Sequence, residues 1–296
     1  MRPPRLLIIG CGDVGRRVLR LLGSRWRVAA LVRDAASAPA LRVQGVTPLL
    51  GDLDAPATLG RLAGWGDAVL HLAPPPTHGA VDMRTRHLID ALGSRSAPRT
   101  LVYVSTTGVY GDCGGAWVDE TRAPAPGTDR ARRRVDAETQ LRAYARRAGV
   151  RLVILRAPGI YALDRQGGHP RERLERGLPV LAADDDVYTN HIHADDLARA
   201  CVRALHRGGT LRAVNACDDS GMKMGAYFDL AADLCGLPRP ERVPRSEIGA
   251  RLSPQAMSFL GESRRLSNER LKSELGLRLR YPTAREGLEA LKALTP

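Results

Sequence analysis

Three closely spaced glycines near the start of the chain have the pattern of a phosphate-binding turn. They lie in the sequence GCGDVG at residues 10–15, between an apolar run and a stretch with helical periodicity. In such a turn the first glycine permits a tight bend, the second lets the backbone approach a pyrophosphate, and the third lets helix and strand pack closely. The phosphate would bind free N–H groups at the start of the helix; the alternative is an ordinary strand–helix turn. The candidate cofactor-binding residues here are Gly10, Cys11, Gly12, Asp13, Val14 and Gly15.

Residues after the next strands are candidates for binding the adenosine part of a dinucleotide. The second predicted strand ends in LVRD, so Arg33 follows it directly. An acidic side chain at this place would accept a hydrogen bond from the 2′-hydroxyl of NAD, whereas an Arg would pair with the 2′-phosphate of NADP. Unless Arg33 is simply solvated, it favours NADP over NAD. Further candidates follow the third and fourth strands: Asp52, which could bind the adenine amine, with Leu53, Leu72 and Ala73.

Hydroxyl side chains cluster after the fifth predicted strand, in YVSTTGVYGD at residues 103–112. Ser105, Thr106, Thr107 and Tyr110 would lie at the carboxyl edge of a parallel sheet, where ligands bind in such folds. They could hydrogen-bond a substrate carbonyl or hydroxyl, or they could only form a turn. Ser105 is also a cofactor-binding candidate.

An arginine-rich segment, DRARRRVDAETQLRAYARRA at residues 129–148, is predicted to be a helix because it is rich in Ala and contains no Gly or Pro. Asp129 is available as its N-cap. The segment contains seven arginines. They could form a nucleic-acid surface, a solvated helix face, or part of a site.

Short apolar strands alternate with helices through the first half of the chain, as in RLLIIG, WRVAALVR, DAVLHLA and RTLVYVST. This pattern predicts an α/β fold, a Rossmann-type doubly wound parallel sheet with helices on both faces. After about residue 156 the rhythm breaks. We therefore predict a Rossmann domain over residues 1–156 that continues through 187–214, with a small C-terminal substrate-capping part over 157–186 and 215–296 whose final helix packs back. The predicted helices include residues 56–64, 79–93, 129–148, 194–206, 224–235 and 283–294.

Composition excludes several classes of function. The chain of 296 residues has a net charge of +13, but only three of its 45 basic residues are lysines, which is more typical of a coding bias than of selected phosphate contacts. Acidic residues are interspersed and stacking aromatics are rare, so we expect no nucleic-acid partner. No apolar run approaches 18 residues, so no membrane span is expected. Five widely spaced cysteines without a metal-ligand pattern indicate free thiols in a reducing cytoplasm and no metal site.

A series of motifs in one order resembles the extended short-chain dehydrogenase/reductases, the NAD-dependent epimerase/dehydratase group. The motifs are GCGDVG, GDL, HLA, VSTTGVYGD, LRAPGIY, NHIHADDLA and RYPTAREGL, and they cover nearly the whole chain. The family usually has G-x-x-G-x-x-G, and here Ile9 occupies the outermost glycine position. The resemblance implies a catalytic Ser/Thr at Thr106. It also implies that Pro158 and Ile160 lie beside the nicotinamide.

The resemblance also identifies two of the arginines. The family has Tyr-x-x-x-Lys at the start of this helix, with a Glu four residues later, and this chain has Arg130, Arg134 and Glu138 at those places. These positions share a helix face. Arg cannot exchange a proton near neutral pH, so Arg134 could bind ribose hydroxyls, whereas Arg130 could polarise a carbonyl or hold an anion. The other five arginines are predicted to be solvated.

No replacement for the family's proton-donating Tyr stands out in the sequence. The candidates are Asp129, Tyr110, Tyr161, Asp112 and Cys113. His191 and His193 are interpreted as hydrogen-bonded residues at the junction with the substrate part. The resemblance implies an NAD(P)-binding oxidoreductase or epimerase of an atypical branch with a small-molecule substrate, and a homodimer is one expected assembly. The alternative is a catalytically silent protein that senses nicotinamide dinucleotides.

Overall fold

Seven parallel strands form the central sheet of the computed structural model, which describes residues 2–289 apart from the side chains of 254 and 255. Their order across the sheet is β11-β7-β5-β4-β1-β2-β3. The strands are β1 (Arg5–Ile9), β2 (Arg27–Val32), β3 (Thr47–Leu50), β4 (Ala68–His71), β5 (Thr100–Thr106), β6 (Trp117–Val118), β7 (Arg151–Ala157), β8 (Gly159–Tyr161), β9 (Val180–Leu181), β10 (His191–His193), β11 (Arg212–Asn215), β12 (Arg242–Val243) and β13 (Arg265–Leu266).

The helices connect the strands and cover both faces of the sheet. They are α1 (Asp13–Leu22), α2 (Ala38–Val43), α3 (Met83–Gly93), α4 (Asp129–Ala148), α5 (Pro170–Glu175), α6 (Ala194–His206), α7 (Met224–Cys235), α8 (Arg245–Ile248), α9 (Pro254–Leu260), α10 (Glu269–Ser273) and α11 (Ala284–Glu289).

Strand β1 illustrates why the sheet is covered on two sides. Because successive side chains of a strand point to opposite faces, Leu6 and Ile8 join one buried cluster while Leu7 and Ile9 join another. Helices α1 and α6 supply apolar residues to the first cluster, and α3 and α4 supply them to the second. The predicted doubly wound Rossmann-type sheet is confirmed.

The strand order reverses between β1 and β4. The chain leaves β1 toward β2 and β3 on one side and later returns to β4 and β5 on the other, with Ile9 of β1 opposite His71 of β4. In open α/β sheets the crevice beyond the carboxyl ends of such strands is where ligands bind. The glycine turn lies at this place.

The elements outside the central sheet that include β8, β9, β12, α5, α7, α8, α9 and α11, which we call the cap, have small cores of their own. Three two-stranded parallel pairs, β8 with β10, β9 with β12 and β6 with β13, lie outside the central sheet. One core joins Tyr161 to Tyr227 of α7 and Leu288 of α11. In contrast, Leu271 and Leu275 join the buried cluster that contains Leu6 and Ile8, which we call the main core. The cap and the sheet domain are thus interleaved in sequence.

Several helices differ from prediction at their ends. The expected helix at 56–64 is replaced by two 3-10 turns, 56–58 and 60–62. Gly60 lowers the helix propensity of the segment, whereas Pro56 stands at a first-turn position that a helix tolerates. The helix expected from residue 79 begins at Met83, after the N-cap Asp82. The part of the last predicted helix beyond residue 289 lies outside the described residues.

Residues 2–289 also bear on membrane-spanning and metal-binding classes of protein. No helix in that range combines the length and apolar character that a bilayer crossing requires. Within the same range, no group of three or more Cys, His, Asp or Glu residues has an arrangement suited to a metal ion.

Candidate functional site

The glycine turn has the geometry that a dinucleotide pyrophosphate requires. Gly10 has a φ of +85°, and a Cβ there would lie 2.6 Å from the Ala73 nitrogen, so the turn is pressed against the chain leaving β4. Gly12 precedes α1 with no side-chain cap, and a Cβ there would meet nothing within 4 Å. A Cβ on Gly15 would approach Cys11 Sγ at 3.3 Å, so this glycine permits close packing. The uncapped start of α1 and the open space at Gly12 fit a bound phosphate.

The Asp13 side chain of the turn binds a buried arginine, Arg17, and does not face freely into the crevice. Arg17 Nε donates to Asp13 Oδ1 at 3.0 Å, and its guanidinium also binds Asp164 and Asp195. Burial disfavours the Arg17 charge, but these carboxylates more than compensate and raise its pKa. Arg165 binds the second oxygen of Asp13 at 2.6 Å. The loop after β8 is thereby held against the N-terminus of α1.

Cys11 and Val14 contribute apolar surface to the turn. Both are partly buried against the main core. Burial raises the pKa of the Cys11 thiol to about 11, so the thiol stays protonated at neutral pH. A nucleophilic role for this cysteine therefore has no support.

The adenosine-end candidates lie on one edge of the sheet, after β2, β3 and β4. Arg33 is exposed, and its charge contributes to lowering the pKa of Asp54, behind the larger effect of a hydrogen bond from Arg84. Asp52 Oδ1 accepts from the Asp54 N–H at 3.0 Å. Leu53 is buried, whereas Leu72 is partly buried against the main core.

At the end of β5, Ser105 and Thr106 point to different environments. The Ser105 hydroxyl is buried and has no hydrogen-bond partner among the described residues. Thr106 Oγ1 accepts from the Gly108 N–H at 3.3 Å, and Thr106 lines a cavity of about 650 Å³ between the sheet domain and the cap. Pro158 and Ile160 line the same cavity.

Helix α4 brings Arg134 and Arg130 to this region in different ways. One terminal nitrogen of Arg134 donates to Tyr103 Oη and to the Val104 carbonyl, both at 2.9 Å. Burial raises the pKa of Tyr103 to about 12, so this tyrosine donates or accepts hydrogen bonds but does not ionise. Arg130 lines the cavity, and its guanidinium lies 4.6 Å from the centre of the Phe259 ring. Desolvation, with the nearby charge of Arg134, lowers the Arg130 pKa.

Two predictions about α4 were wrong. The N-cap is Thr128, whose hydroxyl accepts from the Ala131 N–H, because Asp129 already lies in the helix and pairs with Arg132. Arg133 is not solvated: it is buried and donates to the Gly79 carbonyl.

Two further side chains of α4 are held inside the protein. Arg142, also expected in solvent, is largely covered and donates to the Leu211 carbonyl at 2.6 Å. Glu138 accepts two hydrogen bonds from Arg156, at 3.1 and 2.7 Å, in a buried pair. Glu138 therefore anchors α4 to β7.

None of the five alternative acids lines the cavity. Tyr110 donates to Asn215 Oδ1 at 2.8 Å in the core, and Tyr161 reaches the Thr283 carbonyl. Asp112 accepts from backbone N–H groups that lower its pKa, and the Cys113 thiol lies against the carbonyls of residues 110 and 111. With Asp129 paired to Arg132 outside the cavity, a side-chain proton donor is absent from all the places where the sequence suggested one.

Only one of the two histidines of the NHIHADD motif makes the side-chain hydrogen bond expected of both. His193 Nδ1 accepts from the Asp195 N–H and caps α6, whose first turn carries both aspartates. His191 lines the cavity and stacks on Tyr227 with ring centres 4.0 Å apart, and its Nδ1 has no hydrogen-bond partner among the described residues. Desolvation lowers the pKa of His191 to about 3, so its ring is neutral.

The sequence reasoning missed the aromatic lining of the cavity. The chain contains only two phenylalanines, Phe228 and Phe259, and both line it. Each ring lies beneath an arginine, with Arg173 4.8 Å from the centre of Phe228. The scarcity of Phe was visible in the sequence, but its meeting with these arginines depends on contacts distant in sequence.

Comparisons with known proteins agree with this fold. A family model described as NAD(P)H-binding matches residues 10–207. A 3-diazoavenalumate denitrifying reductase of Streptomyces is 30% identical, with 96% of this chain and 99% of that protein covered. A functionally unknown conserved protein of Silicibacter pomeroyi has a solved structure with 34% identity, a TM-score of 0.81 and 98% of each chain covered.

Other solved structures share the fold at lower identity. The UDP-glucose 4-epimerase of Thermotoga maritima is 19% identical, with a TM-score of 0.78, and 98% of this chain and all of that one are covered. This identity supports a common fold and no more. The chain belongs to the NAD(P)H-binding family, with the extended short-chain dehydrogenase/reductase fold of the NAD-dependent epimerases and dehydratases, and its cofactor is a nicotinamide dinucleotide.

Proposed function

We propose that this protein is an NADPH-preferring reductase that delivers hydride to an electrophile which needs no proton from the enzyme. The feature that supports the proposal is Arg130, which stands where the resemblance places the family's proton-donating Tyr, while none of the five alternative acids lines the cavity. An Arg remains charged at neutral pH. It can stabilise negative charge that develops on a substrate but cannot protonate it.

A diazo group on an aromatic ring has the required chemistry. The relative that matches nearly the whole chain is named as a denitrifying reductase of a diazo compound. When hydride adds to the terminal nitrogen of an arenediazonium ion, the resulting aryldiazene loses its N–H proton and N2, and the ring carbon takes up a proton from water. The proton lost and the proton gained cancel, so hydride and diazonium give arene, N2 and oxidised cofactor with no net proton from an acid of the enzyme.

The proposed roles of the individual residues follow from their positions. The glycine turn and the start of α1 would hold the pyrophosphate, Arg33 the 2′-phosphate of NADPH, and Asp52 the adenine. Arg134, fixed by Tyr103, would direct its remaining N–H groups at the nicotinamide ribose, with Ser105, Pro158 and Ile160 around the nicotinamide. Thr106 and Arg130 would contact the substrate. The bound cofactor supplies the hydride, and the residues of this chain only bind, orient and stabilise charge.

A labelling experiment tests the proposal. The protein is incubated with 4-carboxybenzenediazonium and NADPH deuterated at both C4 positions, and the benzoate formed is analysed by mass spectrometry. We expect one benzoate for each NADPH oxidised, slower NADPH oxidation with the deuterated than with the unlabelled cofactor, and a greater yield than without protein. Gly12→Ala, in which cofactor binding should fail, is the negative control. Benzoate formed without NADPH oxidation, or no benzoate above background from protein that binds NADPH, would refute the proposed reaction.

A second candidate function is favoured by the same pair of arginines. Loss of both the Tyr and the Lys would also suit a protein that only senses the redox state of the cofactor. Titration with NADPH, NADP+, NADH and NAD+ distinguishes the two, because a sensor should bind reduced and oxidised forms with very different affinities. The proposed domain division and a homodimer that pairs through helices of the sheet domain can be tested in the same preparations, by limited proteolysis and sedimentation. A cytoplasmic location stays a prediction.

A further inference from the structure

The cavity beside Thr106 has a lining that is unusual for this chain. Aromatic residues make up 4% of the sequence, yet Phe228, Phe259, Tyr188 and Tyr227 all line this one cavity. Phe259 is 45% exposed, so its ring presents apolar surface to the space rather than to a core. Such a surface is covered favourably by a flat apolar ligand.

Two arginines in the lining have no carboxylate partner among the described residues. Arg130 makes no hydrogen bond or ion pair with them, and its contact is the Phe259 ring. Arg173 donates to the Pro179 carbonyl at 2.6 Å and lies over Phe228. Burial lowers the pKa of both arginines, and the Glu262 carboxylate, which binds Arg264, offsets this only in part for Arg130, so the charge of each is incompletely compensated. An anion in the cavity would supply the missing partner.

The position of the Arg130 guanidinium, 4.6 Å from the centre of the Phe259 ring, suits recognition of a carboxylate. The ring attracts the positive charge without accepting ordinary hydrogen bonds, so the N–H groups stay available for an anion. Phe259 would thus hold Arg130 in position, and the in-plane donors would meet a carboxylate in a two-pronged contact.

The other charges of the lining disfavour a diphosphate. Glu262 lies in the wall and binds Arg264 at 2.8 Å, and Arg165 is occupied by Asp13. A diphosphate would need several converging free cations, and the Glu262 carboxylate would repel it. One negative charge on a planar ligand fits the two partnerless arginines better.

We infer that the substrate of this cavity is an aromatic carboxylate whose acid group binds Arg130 and whose ring lies on the aromatic wall formed by Phe228 and Phe259. The inference rests on the proposed function, since it names the class of molecule that would receive the hydride. The binding that it predicts can nevertheless be measured without the reaction, because it concerns only what the cavity holds.

The experiment is calorimetric titration of NADP+-saturated protein with three small probes. Cinnamate has the ring and the charge, cinnamide has the ring alone, and 3-cyclohexylpropionate has the charge alone. We expect cinnamate to bind at least tenfold more tightly than either of the other two. Equal affinities for all three probes, or tighter binding of UDP than of cinnamate, would overturn the inference.

Three variants separate the contributions of the Arg130 charge and the Phe259 ring to cinnamate binding. Arg130→Gln should weaken cinnamate about tenfold and leave cinnamide unchanged, whereas Phe259→Leu should weaken both ring-containing probes. Arg146→Gln, an exposed charge loss near the far end of α4, should have no effect. If Arg130→Gln and Arg146→Gln act alike, the anion site is elsewhere and the inference fails.

The outcomes separate the inference from the proposed function. If NADP+ binds and cinnamate does not, the aromatic-acid inference is lost while the reductase proposal stands. If cinnamate binds as expected but NADPH is not oxidised by the diazonium probe above background, the inference stands and the reductase proposal is lost.

Discussion

The glycine turn allows a prediction that separates folding from cofactor binding. Gly10 and Gly12 belong to the same motif, but added methyl groups would have opposite consequences. A methyl on Gly10 lies 2.6 Å from the Ala73 nitrogen and 2.7 Å from its Cα, and both are backbone atoms that no rotamer change can move. A methyl on Gly12 meets no atom within 4 Å and instead occupies the space through which a phosphate would approach.

The expected size of the Gly10→Ala effect has two parts. A residue with a side chain at the φ of Gly10 costs about 1–2 kcal/mol, and the overlap with a rigid neighbour adds about 1–3 kcal/mol. A total near 3 kcal/mol would lower the melting temperature by about 5 °C for a chain of this length. Gly12 has a φ of −82°, so Gly12→Ala should change the free energy of unfolding by no more than about 1 kcal/mol.

The variant that keeps its stability should be the one that loses affinity for NADP+. Gly12→Ala should weaken NADP+ binding by at least about 30-fold, corresponding to about 2 kcal/mol, while remaining folded. The assays are thermal denaturation followed by circular dichroism and fluorescence titration with NADP+.

A third glycine provides the control. Gly23 has a φ of +58° at the end of α1, and a Cβ there meets nothing within 4 Å. Gly23→Ala therefore measures the conformational cost alone, about 1–2 kcal/mol. Gly10→Ala no more destabilised than Gly23→Ala, or Gly12→Ala with wild-type affinity, would show that the turn does not work as argued.

Three other predictions use the charged groups. Burial raises the pKa of Asp218 from 3.8 to about 7, so the unfolded chain releases this proton at a lower pH than the folded chain. The free energy of unfolding should therefore fall as the pH rises from about 4 to 7. Asp218→Asn should abolish up to about 4 kcal/mol of that fall, measured as the difference between the pH–stability curves of variant and wild type. Glu138→Ala should destabilise by about 3–5 kcal/mol in urea denaturation because Arg156 is left buried without its partner, and Glu138→Leu with Arg156→Met should recover most of it; an equally unstable double variant would argue against this account. Arg33→Ser should weaken NADPH binding about tenfold and leave NADH unchanged in fluorescence titrations, and equal losses for both cofactors would remove Arg33 from the 2′-phosphate site.

The order of strands and helices was predictable because it depends on local patterns. Alternating buried strands and helices required only hydrophobic periodicity, and helices 129–148, 194–206 and 224–235 have the predicted bounds. Errors arose where single residues decide, as at Gly60, inside an expected helix, and at Thr128, which caps α4 in place of its neighbour.

Which arginines of α4 are buried and which are exposed could not be predicted from the sequence of the helix alone. Arg132 and Arg133 are adjacent, yet one is exposed and the other donates to a carbonyl 54 residues earlier in the chain. The Arg130–Phe259 contact joins residues that are even farther apart in sequence. Such pairings depend on how the cap closes over the sheet, and no local pattern encodes that arrangement.

If residues 130 and 134 stand in the places of the Tyr–Lys pair, as the resemblance implies, the two arginines of α4 have a common physical consequence. A Tyr–Lys pair at residues 130 and 134 would serve substrates that must be protonated as hydride arrives. Arginines in the same geometry retain the positive field and the hydrogen bonds but remove the movable proton. The acceptor must then accommodate the hydride electrons itself, as a diazo group does by releasing N2. In the same exchange, Arg130 gains in-plane donors that Tyr lacks, so that the loss of acid chemistry and the gain of an anion-binding group follow from one replacement.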